Sequence, residues 1–213
     1  TRPARSKPCW RRPARTFETP HNVGRFALWD AMCTPADSPS LLEMNMIKVG
    51  DTLPATTLME YSEVEGEGCS IGPNPVPVDK ATAGKTIALF ALPGAFTPTC
   101  SAKHVPGYVA KAAEFRAAGV DEIWCVSVND AFVMGAWARD QKSGDKVRML
   151  ADGDAAFAKA TGLTLDLHGK GMGLRSNRYS MLVRDGKVVT LNVEAPGQFA
   201  VSDADTLLAQ AKA

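Results

Sequence analysis

The chain has 213 residues, 45% of them hydrophobic, with 24 Lys and Arg set against 23 Asp and Glu. Such a length and apolar content support one domain with a sizeable core. A formal charge of +1 offers no electrostatic reason to bind nucleic acid or an anionic membrane, so small molecules and proteins are the expected partners. The longest apolar stretch, Ile87 to Phe96, is interrupted by Pro93 and Gly94 and is too short to span a bilayer; no transmembrane helix is expected.

Residues 1–45 stand apart. Arg2, Arg5, Lys7, Arg11, Arg12 and Arg15 all precede the first acid, Glu18, and several prolines interrupt any helical period, which predicts little ordered structure. An arginine-rich, acid-poor start resembles an organellar transit segment, but Pro3, Pro8, Pro13 and Pro20 weaken the amphipathic helix such segments need. The folded domain is therefore expected over residues 46–213, with residues 1–45 an extension of transit-like or upstream sequence. The five cysteines, Cys9, Cys33, Cys69, Cys100 and Cys125, are odd in number and irregular in spacing, with no CxxC pair. Reduced thiols in a cytoplasmic compartment fit best, with an organelle as the alternative if the basic segment directs import.

From Ile47 the pattern becomes globular. Ser70 to Pro77 is rich in Pro and Gly and reads as an extended surface connection, with Val76-Pro77-Val78 an edge segment. The run Ile87 to Leu92 reads as a buried strand, and Val105, Tyr108, Val109, Ala112 and Phe115 recur at helical spacing up to a stop at Gly119. Ile123 to Val128 completes a strand, helix, strand unit, for which a parallel crossover is expected. A helix from Ala131 to about Lys142, a strand from Val147 to Ala151 and a short helix from Asp154 to Thr161 follow. Ser180 to Val183 and Lys187 to Val193 flank Asp185-Gly186, a strong hairpin signal, and a last helix begins near Ser202 with Asp205 completing a shortened capping box. The expected architecture is an α/β fold with a mixed central sheet flanked by helices and a β-hairpin near the C-terminus.

Cys100 lies where the buried strand gives way to a helix. Backbone N–H groups in a helix's first turn lack intrahelical partners and the positive end of the dipole lies there, so a thiolate is favoured. Thr97, three residues earlier, can turn its hydroxyl toward the same entrance, and Pro93 and Pro98 stiffen the approach. The same residues read equally as turn chemistry: Thr as a helix cap, Pro in a first turn, Cys as a small buried apolar side chain. His104 is four residues past Cys100 and suits a structural role better than a general base. His21 and His168 have no comparable context, and three scattered histidines give no metal-ligand spacing, so no metal is expected. Cys125 sits among Ile123, Trp124, Val126 and Val128 and reads as structural.

The spacing P-x-x-x-T-x-x-C from Pro93 to Cys100 resembles the peroxiredoxin signature. Four further stretches resemble the type II group of that family: Lys103 to Tyr108, Val126 to Val133, Arg178-Tyr179-Ser180-Met181 and Leu191-Asn192-Val193-Glu194. The resemblance runs from about Ile47 to the C-terminus and implies a thioredoxin-like fold. It implies that Cys100 is the peroxidatic nucleophile, that Thr97 orients the peroxide, that Pro93 shields the sulfenic acid and that Arg178 polarises the peroxide and stabilises the thiolate. Spacing alone does not select Arg178 over Arg148, Arg175 or Arg184.

Mammalian members of this group carry a second, resolving cysteine after the Leu-Asn-Val-Glu stretch, whereas this chain reads Ala195 to Ser202 without sulfur. The resemblance then implies a one-cysteine cycle without a bound cofactor: hydrogen peroxide and small alkyl hydroperoxides as substrates, and an external thiol, glutathione with glutaredoxin or thioredoxin, as reductant. It also implies a homodimer, for which Phe96, Phe132 and Trp137 are candidate contacts or core. A peroxide sensor or thiol relay on the same scaffold is the alternative, and a non-catalytic binding or holdase protein a third class.

Overall fold

Strand β3, Thr86–Leu92, explains the architecture. From Ile87 to Leu92 every residue is fully buried, because alternate side chains enter two different cores. Ala88, Phe90 and Leu92 point into one and Ile87, Leu89 and Ala91 into the other, which is why the segment reads as an unbroken apolar run. The computed structural model describes residues 46–63 and 71–213; the expectations for residues 1–45 lie outside the described residues.

In chain order the remaining elements are β1 (Thr57–Ser62), β2 (Gly72–Pro77), α1 (Val78–Thr82), α2 (Val105–Ala117), β4 (Glu122–Ser127), α3 (Ala131–Asp140), β5 (Arg148–Ala151), α4 (Ala156–Ala160), β6 (Thr164–Leu167), β7 (Gly173–Ser176), β8 (Tyr179–Arg184), β9 (Lys187–Val193) and α5 (Ala204–Lys212). Seven strands form a mixed sheet in the order β2-β1-β5-β4-β3-β8-β9, and β6 and β7 form a separate hairpin. β3 and β4 run parallel across α2, β4 and β5 parallel across α3, and β8 lies antiparallel to β3. The β8–β9 hairpin turns at Asp185 and Gly186, both with positive φ, the twist-matched geometry that Asp-Gly favours.

One face of the sheet packs against α2, α3 and α5 through Tyr108, Phe115, Met134, Trp137 and Leu207. The other face buries Leu58, Val78, Trp124, Phe157 and Leu163. No helix of the described residues is long and apolar enough to cross a membrane.

Three local expectations change. The described part of the Pro/Gly-rich segment is not a connection but a strand, β2, paired antiparallel with β1 at the sheet edge: the edge segment expected at Val76-Pro77-Val78 is there, but it reaches back to Gly72 and stops at Pro77, where Val78 opens α1. Its prolines occupy alternate positions 73, 75 and 77, so the missing N–H groups all fall on one side of the strand, and β2 can still pair along its other side. β1, α1 and the β6–β7 hairpin were not expected from the pattern at all. At the last helix the cap is Asp203, not Ser202: its carboxylate accepts from the Thr206 N–H at 3.0 Å and the Thr206 hydroxyl at 2.7 Å. The Ser202 N–H and hydroxyl are engaged elsewhere, as described below.

Candidate active site

The segment from Pro93 to Thr99 carries the chain from the end of β3 into the helical layer. Phe96 adopts a left-handed backbone, φ 59°, which folds the loop back over the sheet end. A Cβ on Gly94 would lie 3.3 Å from Arg175 Nη1 and 3.4 Å from Thr97 Cγ2, so a larger residue would push that packing apart. Asn129, just past β4, accepts from the Ala95 N–H (2.9 Å) and the Ser127 hydroxyl (2.8 Å), tying the loop to the neighbouring strand. The Thr97 hydroxyl donates to the Gly94 carbonyl at 2.8 Å, which leaves its oxygen as an acceptor, and the Ser101 N–H closes a helical turn on the Thr97 carbonyl at 3.0 Å.

Cys100 opens a π-helical turn, Cys100–His104, closed by the Val105 N–H on the Cys100 carbonyl. Such wide turns are rare and recur at functional sites. Here the turn presents Cys100 and His104 to one guanidinium. Arg178 Nη2 donates to Cys100 Sγ at 3.3 Å, and Nη1 donates to His104 Nδ1 at 3.0 Å. Arg178 reaches this point because the antiparallel register pairs Ala91 with Tyr179, setting residue 178 at the sheet end where β3 leads into the Cys100 loop. The Phe199 ring lies 5.7 Å from its guanidinium carbon. Among the described residues no carboxylate forms an ion pair with Arg178, in contrast to Arg148, which is held by Glu60 and Glu122 at 2.6 Å each.

His104 is fully buried between Phe90 and Phe199. Burial, and secondarily the Arg178 charge, lowers its pKa from 6.5 to about 3, so it is neutral at physiological pH. Its Nε2 faces the Ser202 carbonyl at 3.0 Å and therefore carries the proton, leaving Nδ1 free to accept from Arg178. The structural role expected for His104 is thus specific: it holds the arginine.

Pro93, Thr97 and Arg178 share a cleft of about 440 Å3, also lined by Leu165, Met172 and Pro196. Cys100 lies beneath this cleft with no exposed surface of its own. The four residues singled out in the sequence are therefore brought together, three lining one cleft and the fourth, Cys100, hydrogen-bonded to Arg178. Cys125, in mid β4 opposite Phe90, is also fully buried, and burial pushes its thiol well up. The two cysteines are not bonded to each other. Trp137 is core, with its indole N–H donating to Ser101 Oγ at 3.1 Å, whereas Phe96 and Phe132 are 55% and 62% exposed. His168 is an exposed partner of Asp166, and His21 lies outside the described residues. Asn129, Phe199 and the link between His104 and Arg178 escaped the sequence reading, because each depends on a contact between distant parts of the chain.

Comparison with known proteins agrees with this geometry. The Redoxin family model matches residues 48–208. Peroxiredoxin-2B of Arabidopsis thaliana is 46% identical over 165 residues, covering 78% of this chain and 98% of that protein. The chloroplastic peroxiredoxin-2E of the same plant is 49% identical over 164 residues, 76% of this chain and 68% of its own length. A crystal structure of reduced Prx3 from Vibrio vulnificus in complex with hydrogen peroxide superposes with a TM-score of 0.72 at 51% identity, covering 78% of this chain and 99% of that one. A thiol at a strand-to-helix junction, an arginine on its sulfur and these relatives lead to one conclusion: the chain belongs to the type II peroxiredoxins, thiol peroxidases with a thioredoxin-like fold.

Proposed function

We propose that the protein reduces hydrogen peroxide and small alkyl hydroperoxides through a sulfenic acid on Cys100, which an external thiol then reduces. The observation that carries this reading is the 3.3 Å contact from Arg178 to Cys100 Sγ. In the first step the Cys100 thiolate attacks one peroxide oxygen, the O–O bond breaks, and the departing oxygen leaves as water or an alcohol after taking up a proton. Sulfur is oxidised by two electrons and the peroxide reduced by two. Arg178 already points a donor at the sulfur and can follow the charge onto the leaving oxygen. The Thr97 oxygen, with its own proton committed to Gly94, accepts from the peroxide hydroxyl. Pro93 lines the cleft and limits water and further oxidant.

The sulfenic acid then condenses with an outside thiol to a mixed disulfide, releasing water, and a second thiol releases Cys100. Cys125 is a poor internal partner: it is fully buried in mid-strand and its thiolate is disfavoured. We assign the reductant to glutathione with glutaredoxin, or to thioredoxin, and require no bound cofactor. A homodimer is supported by two exposed aromatic rings, Phe96 on the active-site loop and Phe132 at the start of α3. The cytoplasm is the proposed location. The organellar alternative draws support from the similarity to the chloroplastic peroxiredoxin-2E of Arabidopsis thaliana, and a reporter fused to residues 1–45 separates the two.

The test is mass spectrometry after one equivalent of peroxide, followed by steady-state turnover with each reductant. A dimedone adduct on Cys100 and sustained peroxide consumption are expected. A single-equivalent burst that no thiol system renews would replace the enzyme reading with the sensor or relay.

A further inference from the structure

Four donors converge on one carboxylate oxygen near the active site. Glu194 Oε1 accepts from the backbone N–H groups of Ala200, Val201 and Ser202, each at 2.8 Å, and from the Ser202 hydroxyl at 2.9 Å. Three successive N–H groups aimed at one anion form a nest, and Glu194, whose carboxylate sits in it, is only 8% exposed. The loop this arrangement shapes has one outward consequence. Its Ser202 carbonyl receives the His104 Nε2–H at 3.0 Å and the Tyr108 hydroxyl at 2.9 Å. Phe199, on the same loop, contacts both the His104 and Arg178 side chains. Glu194 is also joined to Arg178 through the backbone, its N–H donating to the Arg178 carbonyl at 3.0 Å.

From this chain of contacts we infer that Glu194 is a positioning residue for peroxide reduction, acting through the 199–202 loop and His104 to aim the Arg178 guanidinium at Cys100. The logic is one of tautomers. An imidazole offers one donor and one acceptor, and which nitrogen holds the proton is set by the partner of the other. With the Ser202 carbonyl fixed opposite Nε2, the ring must keep its proton there and present a lone pair at Nδ1. Arg178 Nη1 then has an acceptor that holds the plane of the guanidinium without neutralising it, so Nη2 stays on the sulfur with its full charge. Removing the Glu194 carboxylate leaves three N–H groups in the loop without their common acceptor. The carbonyl then loses its fixed place, and His104 can turn a proton toward Arg178. A carboxylate in direct contact with the arginine would orient it too, but at the expense of the field at Cys100. The structure holds Arg178 with a neutral ring and sets the anion one step back.

This inference rests on the proposed roles of Cys100 and Arg178. The experiment measures the second-order rate of Cys100 oxidation by hydrogen peroxide for the wild type, Glu194→Ala, Glu194→Gln, His104→Phe and the Glu194→Ala/His104→Phe pair. Long-range nitrogen–proton spectra report the His104 tautomer in the same proteins. Glu194→Ala is expected to slow oxidation by roughly 10- to 100-fold, by analogy with the loss of outer partners that orient metal-binding side chains. Glu194→Gln, which keeps the size and an acceptor but not the charge, should fall between, and the Nε2–H signature of His104 should weaken in both. In the His104→Phe background the Glu194→Ala change should cost no more than about 3-fold further, since the two act in series. A folded Glu194→Gln or Glu194→Ala protein with the wild-type rate and tautomer overturns the proposal. So does a Glu194→Ala effect that persists in full without His104. If Arg178→Ala oxidises at the wild-type rate, it is instead the underlying role of Arg178 that fails.

Discussion

Cys100 and Cys125 are both fully buried and both free, and they belong to the same core, yet their surroundings differ in kind. Cys125 sits mid-strand opposite Phe90, where burial, and secondarily the Cys100 sulfur, disfavour its thiolate. Cys100 sits at the opening of a wide helical turn with a guanidinium donor on its sulfur. Solvent exposure, the usual guide to a reactive thiol, does not separate them. What separates them is whether the fold brings a charge of the right sign to the sulfur, and for Cys100 that charge comes from a residue just before β8, far along the sequence.

The difference can be broken in stages. Cys100→Ser should abolish peroxide consumption, measured with any reductant, because no second thiol stands in its place. Arg178→Ala should lower the rate of Cys100 oxidation by roughly 100- to 1,000-fold, the cost of removing a donor aimed at developing charge; stopped-flow mixing with peroxide measures it, and Arg178→Lys should recover only part. Next comes the neutral histidine that orients Arg178. The folded protein holds His104 unprotonated down to about pH 3, whereas the unfolded chain takes up that proton near 6.5. Stability from this source is full above about pH 6.5 and falls as the pH drops, by at most about 1.4 kcal/mol per pH unit. Glu122 and Glu194, whose pKa values are lowered from 4.5, add their own losses from about one pH unit above that value downward, and Asp152, whose carboxyl burial raises from 3.8, acts in the opposite sense at acid pH. Urea unfolding between about pH 6.5 and 5.5 therefore weights the histidine, and His104→Phe should flatten the slope. The smallest effect belongs to the other thiol: Cys125→Ala should leave peroxidase activity within about 2-fold and cost about 1–2 kcal/mol of stability through the small cavity it leaves.

How far the sequence carried the reading follows from the range of the interactions involved. β3 was legible because a strand buried on both faces must be apolar throughout, and the β8–β9 turn because Asp-Gly fits two successive positive φ angles. β2 showed only at Val76 and Pro77, the rest being masked by prolines that only an edge position tolerates, and β1 was hidden by a burial pattern with one fully buried residue in six. Cys100 was legible from the junction it occupies. Arg178 was not legible from spacing, and the resemblance alone singled it out. The structure shows why the competitors differ: Arg148 is neutralised by two carboxylates, Arg175 is spent on the carbonyls of Met172 and Val128, and Arg184 is exposed at the far end of β8. Glu194, His104 and Ser202 form a connected set only after β9 and the final loop fold back over the π turn, and no local pattern encodes that return.

On the proposed cycle, the burial of Cys100 sets a clock on each round. Both peroxide and thiol must reach a sulfur with no exposed surface, but a peroxide needs a far smaller opening than a tripeptide thiol or a protein. Repair then calls for a wider opening of the turn from Cys100 to His104 than a second molecule of oxidant does. Whether the sulfenic acid is rescued or driven on to sulfinic acid becomes a race between the opening rate of one five-residue turn and the local supply of peroxide. A stiffer turn would make the protein easier to silence in an oxidative burst, and a looser one would make it a more durable scavenger.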